Sequence, residues 1–289
     1  MSKLETAFKN KKFAVTSEIG PPKGILFEQI LMDNISLRGR VDAINVTDLQ
    51  SSVMRLGSLA FSKILLDNAI EPVFQLTCRD RNRLALQSDL LSAAVLGIEN
   101  VLLLTGDHPI LGDHPQAKAV YDLDSVQLLD CARKLTNGVD LCGNKLKGSP
   151  KLFLGAVVNP GVETLDLELL KMEKKIKAGA QFFQTQAVYD MDSFDRFMKK
   201  AKTFNVPIMA GIVLLKSVNM AKYLNDNVAG INVPEALIKR MEKSTDKVKT
   251  SIDIATELIN NLKSNCQGVH IMPIGWDKYV VSLLDQAGL

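Results

Sequence analysis

Four carboxylates, Glu18, Asp48, Asp80 and Asp107, recur early in the chain at intervals of about thirty residues, the length of a strand–helix unit. Each follows a short apolar run. Arg79, Arg81 and Lys175 are expected nearby. A carboxyl group crowded by others or partly desolvated holds its proton more tightly, which suits a general acid working near neutral pH. Asp48 and Asp80 read equally well as caps of following helices. Glu18 is followed by Ile19-Gly20-Pro21-Pro22 and has no helix to cap, so a functional role is the better reading. Asp107 lies in Gly106-Asp107-His108-Pro109, a turn whose glycine lets backbone approach a ligand. His108 and His114 each precede proline, and His270 is distant in sequence. With neither H-x-x-x-H nor C-x-x-C spacing, no metal site is expected.

The elements that must position these groups alternate. Strand-like runs cover 12–18, 41–47, 71–77, 100–105, 151–158, 181–186, 206–213 and 268–273. They are short, rich in β-branched or aromatic residues and bounded by Gly, Pro, Asp or Asn. Several are apolar at consecutive positions, as strands covered on both faces should be. Helical spacing of apolar residues marks 51–68, 82–96 and 165–178, the last ending at Gly179. The segment 106–150 holds a long loop and one helix. Extra helices fill 214–267, with an amphipathic stretch over 234–262, and a last helix follows at 277–286. Eight such units predict a (β/α)8 TIM barrel with extra helices before the last strand, occupying 1–289 as a single catalytic domain. A doubly wound sheet is the rival, weakened by the absence of G-x-G-x-x-G and of G-x-x-x-x-G-K-[ST]. In a barrel the strand ends, and so Glu18, Asp48, Asp80 and Asp107, converge on one mouth.

Composition sets the outer limits. The 289 residues are 46% hydrophobic and 23% charged, as for an ordinary globular protein with a sizeable core. The net charge of +3 and the lack of a Lys/Arg block give no reason to expect nucleic acid or a membrane surface as partner. No apolar run approaches the ~20 residues of a membrane span, and the N-terminus has no signal-like apolar core. Cys78, Cys131, Cys142 and Cys266 are scattered, which points to reduced thiols and a cytoplasmic setting.

Four stretches carry a resemblance. Thr16-Ser-Glu-Ile-Gly-Pro-Pro-Lys23, Gln75-Leu-Thr-Cys-Arg-Asp-Arg-Asn82 with Leu102-Leu-Leu-Thr-Gly-Asp-His-Pro109, Lys175-Ile-Lys-Ala-Gly-Ala-Gln-Phe-Phe-Gln-Thr-Gln186, and Gly268-Val-His270 occur in the order found in methylenetetrahydrofolate reductases. The sequence resembles the short bacterial, catalytic-barrel form of that family, including the form found in acetogens. The resemblance implies a flavoprotein, with FAD or FMN, that reduces 5,10-methylenetetrahydrofolate to 5-methyltetrahydrofolate. It assigns Glu18 as general acid, Asp107 as the group that tunes flavin and pterin, and Gln186 as a folate-holding residue. Thr47, Gln75, Asn159, Glu168 and Lys175 line the flavin in this reading, and Arg79 and Lys175 are partners for its phosphate. Gln75 and Asn159 stand where relatives often have His.

One departure bears on the electron source. Val218 lies near the position where NAD(P)H-dependent members carry an aromatic clamp, and it has no such face. NAD(P)H therefore stands beside ferredoxin acting through a cysteine-rich partner subunit, since the scattered cysteines cannot hold an iron–sulfur cluster alone. An oligomer or hetero-complex is expected. Two further readings stay open: a pterin-binding barrel that transfers methyl groups, and a flavin subunit active only within a larger electron-transfer complex.

Overall fold

The computed structural model describes residues 1–289. Eight parallel strands, β1 (Ala14–Ile19), β2 (Ala43–Val46), β3 (Pro72–Thr77), β4 (Asn100–Leu104), β5 (Phe153–Val158), β6 (Phe182–Ala187), β7 (Ile208–Val213) and β8 (Gly268–Met272), close in sequence order, with β8 pairing back onto β1. All eight runs read from the sequence are strands, each within two residues of the expected bounds, and the fold is the (β/α)8 barrel.

Eleven helices accompany them: α1 (Lys3–Lys9), α2 (Glu28–Asn34), α3 (Ser58–Asp67), α4 (Arg83–Val95), α5 (Ser125–Thr136), α6 (Leu165–Ala178), α7 (Met191–Ala201), α8 (Val218–Asn227), α9 (Glu235–Lys243), α10 (Lys247–Leu262) and α11 (Val280–Ala287). The extra helices before β8 are α8, α9 and α10. Three differences from the sequence reading have local causes. The helix expected from Ser51 begins only at Ser58, because Leu49, Ser51 and Ser52 adopt left-handed backbone (φ 49°, 56° and 58°) and the segment before it forms an excursion at the mouth. The amphipathic stretch 234–262 breaks in two where Asp246 caps α10 by accepting from the Lys249 N–H at 3.0 Å. The last helix begins at Val280, after a short 3-10 turn at Asp277–Tyr279.

Apolar packing falls into two layers. The larger lies between the sheet and the helices, around residues such as Phe61, Leu65, Leu90, Leu128, Phe194 and Phe197. The smaller fills the amino-terminal end of the barrel: Ala14, Ala43, Val73, Leu102, Phe153, Phe182 and Met209 point inward, and Leu4 and Ala7 of α1 plug the opening beneath them. Phe182 stacks on Phe153 at 4.9 Å, with Phe8 of α1 at 6.1 Å from Phe182. Helix α1, which hydrophobic periodicity did not reveal, therefore closes the floor and leaves the opposite end open. Replacing Phe182 with alanine should cost roughly 3–5 kcal/mol, because the ring is fully buried and its neighbours belong to the rigid sheet; urea denaturation measures it.

Candidate functional site

Inward-facing positions alternate along each strand, so the residues two and four beyond the floor can be read upward from it. On β1 these are Thr16 and Glu18; on β2, Asn45 and then Thr47 just past its end; on β3, Gln75 and Thr77; on β6, Gln184; on β8, His270. The middle of the barrel is consequently polar and internally bonded. Asn45 Nδ2 donates to Gln184 Oε1 (2.7 Å), and Gln184 Nε2 reaches Asn45 Oδ1 (3.2 Å) and Thr16 Oγ1 (3.3 Å). Thr16 Oγ1 lies 2.9 Å from His270 Nδ1. Buried polar atoms pair in this way because an unpaired one is costly.

Glu18 stands directly above this rung. Its Oε2 lies 3.5 Å from His270 Nε2 and 3.4 Å from Gln75 Nε2, and its Oε1 lies 3.4 Å from Gln50 Nε2. Because Thr16 Oγ1 accepts from Gln184, its own hydrogen is available to His270 Nδ1. That tautomer places the imidazole proton on Nε2, facing the carboxylate. Thr47 Oγ1 is buried beside this group and has no hydrogen-bond partner. Leu104, Val157 and Met272 complete the mouth as partly exposed apolar residues. The opening is therefore amide- and carboxylate-lined toward β1–β3 and apolar toward β4, β5 and β8.

The carboxylates do not all converge, which corrects the expectation for Asp48 and Asp80. Asp48 is enclosed: it accepts from the Thr77 N–H and hydroxyl (both 2.9 Å), from Ser58 Oγ (3.3 Å) and from both Arg81 terminal nitrogens (2.8 and 3.2 Å). It fastens β2, β3 and α3 and caps no helix. Asp80 chelates Arg79 Nε and Nη2 at 2.8–3.0 Å. Arg79 also donates to the carbonyls of Asp107 and Leu49 (both 3.3 Å), so most of its donors are engaged within the chain. Asp107 is anchored through its backbone carbonyl by Arg79 and by Ser52 Oγ (2.8 Å), and its exposed carboxylate has no partner. Gly106 (φ 86°) is needed for packing rather than for ligand approach, since a Cβ there would lie 3.0 Å from Thr77 and 3.2 Å from Arg79.

A separate cluster forms where β5 meets α6. The Asn159 N–H donates to Glu168 Oε1 (3.0 Å), and Lys175 Nζ donates to the Val157 carbonyl (2.7 Å). Burial pulls the Lys175 ammonium below its usual pKa, with Glu168 opposing the shift. Lys175 is thus half-buried against the end of β5, with its Nζ held by a backbone carbonyl. The Asn159 side-chain amide holds a neighbouring loop, donating to the Ala229 carbonyl at 2.8 Å. Gln186 stands alone at the rim of β6.

The loops after β1, β2 and β4 are tied together over one side of the mouth. Asp113 joins them, paired with Lys23 and accepting from the Met54 N–H (3.0 Å), with His114 Nδ1 at 2.9 Å. Lys23 foremost, with His114 and that N–H, holds the Asp113 carboxyl well below the usual carboxylate range. Sequence reasoning singled out Glu18, Thr47, Gln75 and Asp107 at the mouth but missed Asn45 and Gln50. Asn45 was discoverable as a polar residue at an inward parity inside an apolar strand; Gln50 depends on the left-handed loop and left no signal.

A closed parallel barrel with a carboxylate at the carboxyl ends of its strands, a half-apolar opening and a bonded polar layer beneath belongs to the TIM-barrel class, whose sites lie at that end. The particular family follows from comparison. The family model described as methylenetetrahydrofolate reductase matches residues 3–288, and the chain belongs to that family. It is 25% identical to methylenetetrahydrofolate reductase 2 of Schizosaccharomyces pombe over 94% of this chain and 45% of that one. It is also 25% identical to 5,10-methylenetetrahydrofolate reductase of Escherichia coli, over 82% of this chain and 76% of that one. The chain spans less than half the length of the eukaryotic relatives it matches. A Clostridium thermocellum protein that binds two copies of 5-methyl-5,6,7,8-tetrahydrofolic acid shares the fold, with TM-score 0.63, 18% identity, and coverage of 99% of this chain and 98% of that one.

The division between fastening and mouth carboxylates is open to test. Arg81→Met should destabilise the protein by roughly 3–5 kcal/mol, since it strands the enclosed Asp48 charge, whereas Asp107→Asn should stay within about 0.5 kcal/mol. Chemical denaturation of the two variants reads the contrast.

Proposed function

We propose that the barrel catalyses flavin-dependent reduction of 5,10-methylenetetrahydrofolate to 5-methyltetrahydrofolate, with residues 1–289 forming one catalytic unit. The observation that carries this reading is Glu18: an inward carboxylate at the open end, braced by His270, Gln75 and Gln50, in a chain of this family. The residues present suit a flavin. Thr47 Oγ1 is a buried polar atom in want of a partner, Gln75 is an amide at the same depth, and the Leu104–Val157–Met272 side offers an apolar seat for a ring. FAD is the cofactor of this reading, and FMN is distinguished by mass spectrometry of the released flavin. Asn159, Glu168 and Lys175 extend the lining along β5 and α6. With Arg79 engaged by Asp80, Lys175 is the remaining cation for a phosphate. When bound, the flavin supplies the hydride and carries electrons from the donor.

The chain's own residues supply the proton and the field. Glu18 gives its proton to a folate nitrogen, opening the imidazolidine ring to a cationic iminium. The unpartnered carboxylate of Asp107 stabilises that cation. His270, fixed through Nδ1 by Thr16, holds the Glu18 carboxyl in place, and Gln186 offers its amide to the pterin. Methyl transfer without redox chemistry would also need an acid at the folate nitrogen but no flavin, so the flavin content of the purified protein separates the two readings. No helix is long and apolar enough to cross a membrane, and a cytoplasmic setting is part of this reading.

A second reading concerns the electron donor. Val218, the first residue of α8, offers no ring to stack on a nicotinamide, which favours delivery from ferredoxin through a cysteine-rich partner subunit over direct use of NAD(P)H. Reduction of the bound flavin by NADH, NADPH and reduced ferredoxin, each with and without the partner, separates the two.

Purified protein should be yellow and should bleach anaerobically on addition of 5-methyltetrahydrofolate. A colourless protein that stays inert after reconstitution with FAD or FMN overturns the proposal. Glu18→Gln should lower folate reduction by about 10²–10⁴-fold while leaving flavin reduction by the donor intact; equal loss of both half-reactions contradicts its role as acid.

A further inference from the structure

Among all residues of the eight strands, only Gln186 is exposed. Its neighbours Thr185 and Ala187 are each 5% accessible. The cause is a break in register. Gln184 pairs with Met209 and Ala187 with Gly211, so Thr185 and Gln186 together stand opposite the single residue Ala210. This is a β-bulge, a feature that bends a strand and re-aims a side chain at a barrel rim.

Thr185 holds the bulge. Its Oγ1 accepts from the Gly211 N–H at 2.9 Å and donates to the Gln186 carbonyl at 2.7 Å. The hydroxyl thereby takes up a ladder donor that the bulge deprives of its ordinary partner, and it ties down the peptide of Gln186 itself. Gly211 is the counterpart on β7. A Cβ there would lie 2.5 Å from the Thr185 carbonyl oxygen and 2.9 Å from that of Gln186, so only glycine admits this close approach. The Gln186 amide makes no hydrogen bond within the chain. A device of two hydrogen bonds and an obligatory glycine thus presents one free amide at the opening.

We infer that Thr185 is a positioning residue for the folate substrate, acting through Gln186 by fixing the bulge that presents its amide to the pterin. This rests on the folate-reducing function proposed for the same mouth. The hydroxyl contributes orientation only, so its loss weakens binding and leaves the bound complex competent.

The test uses the full chain as Thr185→Val, Thr185→Ser, Gln186→Ala and the Thr185→Val/Gln186→Ala pair. Calorimetry gives the Kd for 5-methyltetrahydrofolate, and steady-state assays give KM and kcat. Thr185→Val should raise both Kd and KM about tenfold with kcat within about twofold of wild type. Thr185→Ser, which keeps the hydroxyl, should bind as wild type does. The double variant should bind no more weakly than Gln186→Ala alone, because both changes remove the same interaction. Losses that multiply in the double variant overturn the inference, as does a Thr185→Val protein that binds normally. Loss of flavin, melting temperature and folate binding together, unrescued by serine, marks a folding role and also overturns it. Wild-type protein that binds no folate defeats the underlying function; wild-type binding with an unaffected Thr185→Val defeats the bulge inference alone.

Discussion

Glu18 poses the constraint that the rest of the molecule answers. A carboxylate on an inward-facing strand position has lost most of its water, and it must be solvated by fixed groups instead. Here those groups are two glutamine amides and one imidazole. The imidazole is itself held by Thr16, Thr16 by Gln184, and Gln184 by Asn45. A single acid at the rim thus goes with polar residues on β1, β2, β3, β6 and β8, and apolar residues fill the lower end and reach the mouth only along β4, β5 and β8.

The same geometry separates two uses of charge. Asp48 and Asp80 lie close to the mouth in sequence terms, yet their arginines consume them. The Asp48–Arg81 pair fastens the end of β2 to the loop after β3, and Asp80 aligns Arg79, which reaches the Leu49 and Asp107 carbonyls of the neighbouring loops. Glu18 and Asp107 meet no permanent cation at full strength: His270 is the only basic group near the first, and the second faces solvent. The fastening carboxylates are thus neutralised by arginine, whereas the two at the opening are not.

The barrel was legible in the sequence because each strand, covered on both faces, had to be a short apolar run, and because Gly, Pro and Asp mark the ends. Glu18 was legible for the same reason in reverse: an acid closing such a run, with a Gly-Pro-Pro exit, has no cap to form. The convergence of Asp48 and Asp80 was misread because strand-end position does not say which way a side chain turns. Residues past the last inward position can point along the sheet to a neighbouring loop, and arginine reach then decides the matter. Nothing in the letters Leu49-Gln-Ser-Ser52 announces left-handed backbone, so the approach of Gln50 to Glu18 was invisible. Helix α1 escaped notice because seven residues are too few to show a period.

The polar rung in the middle of the barrel also bears on how the chain reaches its native state. Its members come from β1, β2, β6 and β8, separated by up to 254 residues of sequence. None can be satisfied locally, and partial assemblies leave amides and an imidazole stranded in a closing apolar cylinder. The rung therefore forms late, once both termini of the sheet have met, and long-range closure of this kind makes for slow assembly. A strand displaced by one residue would turn Ser17 or Ile271 inward in place of Thr16 or His270 and leave the rung incomplete. The layer beneath the acid thus acts as a checkpoint, rewarding only the ring whose first and last strands have joined in the correct alignment.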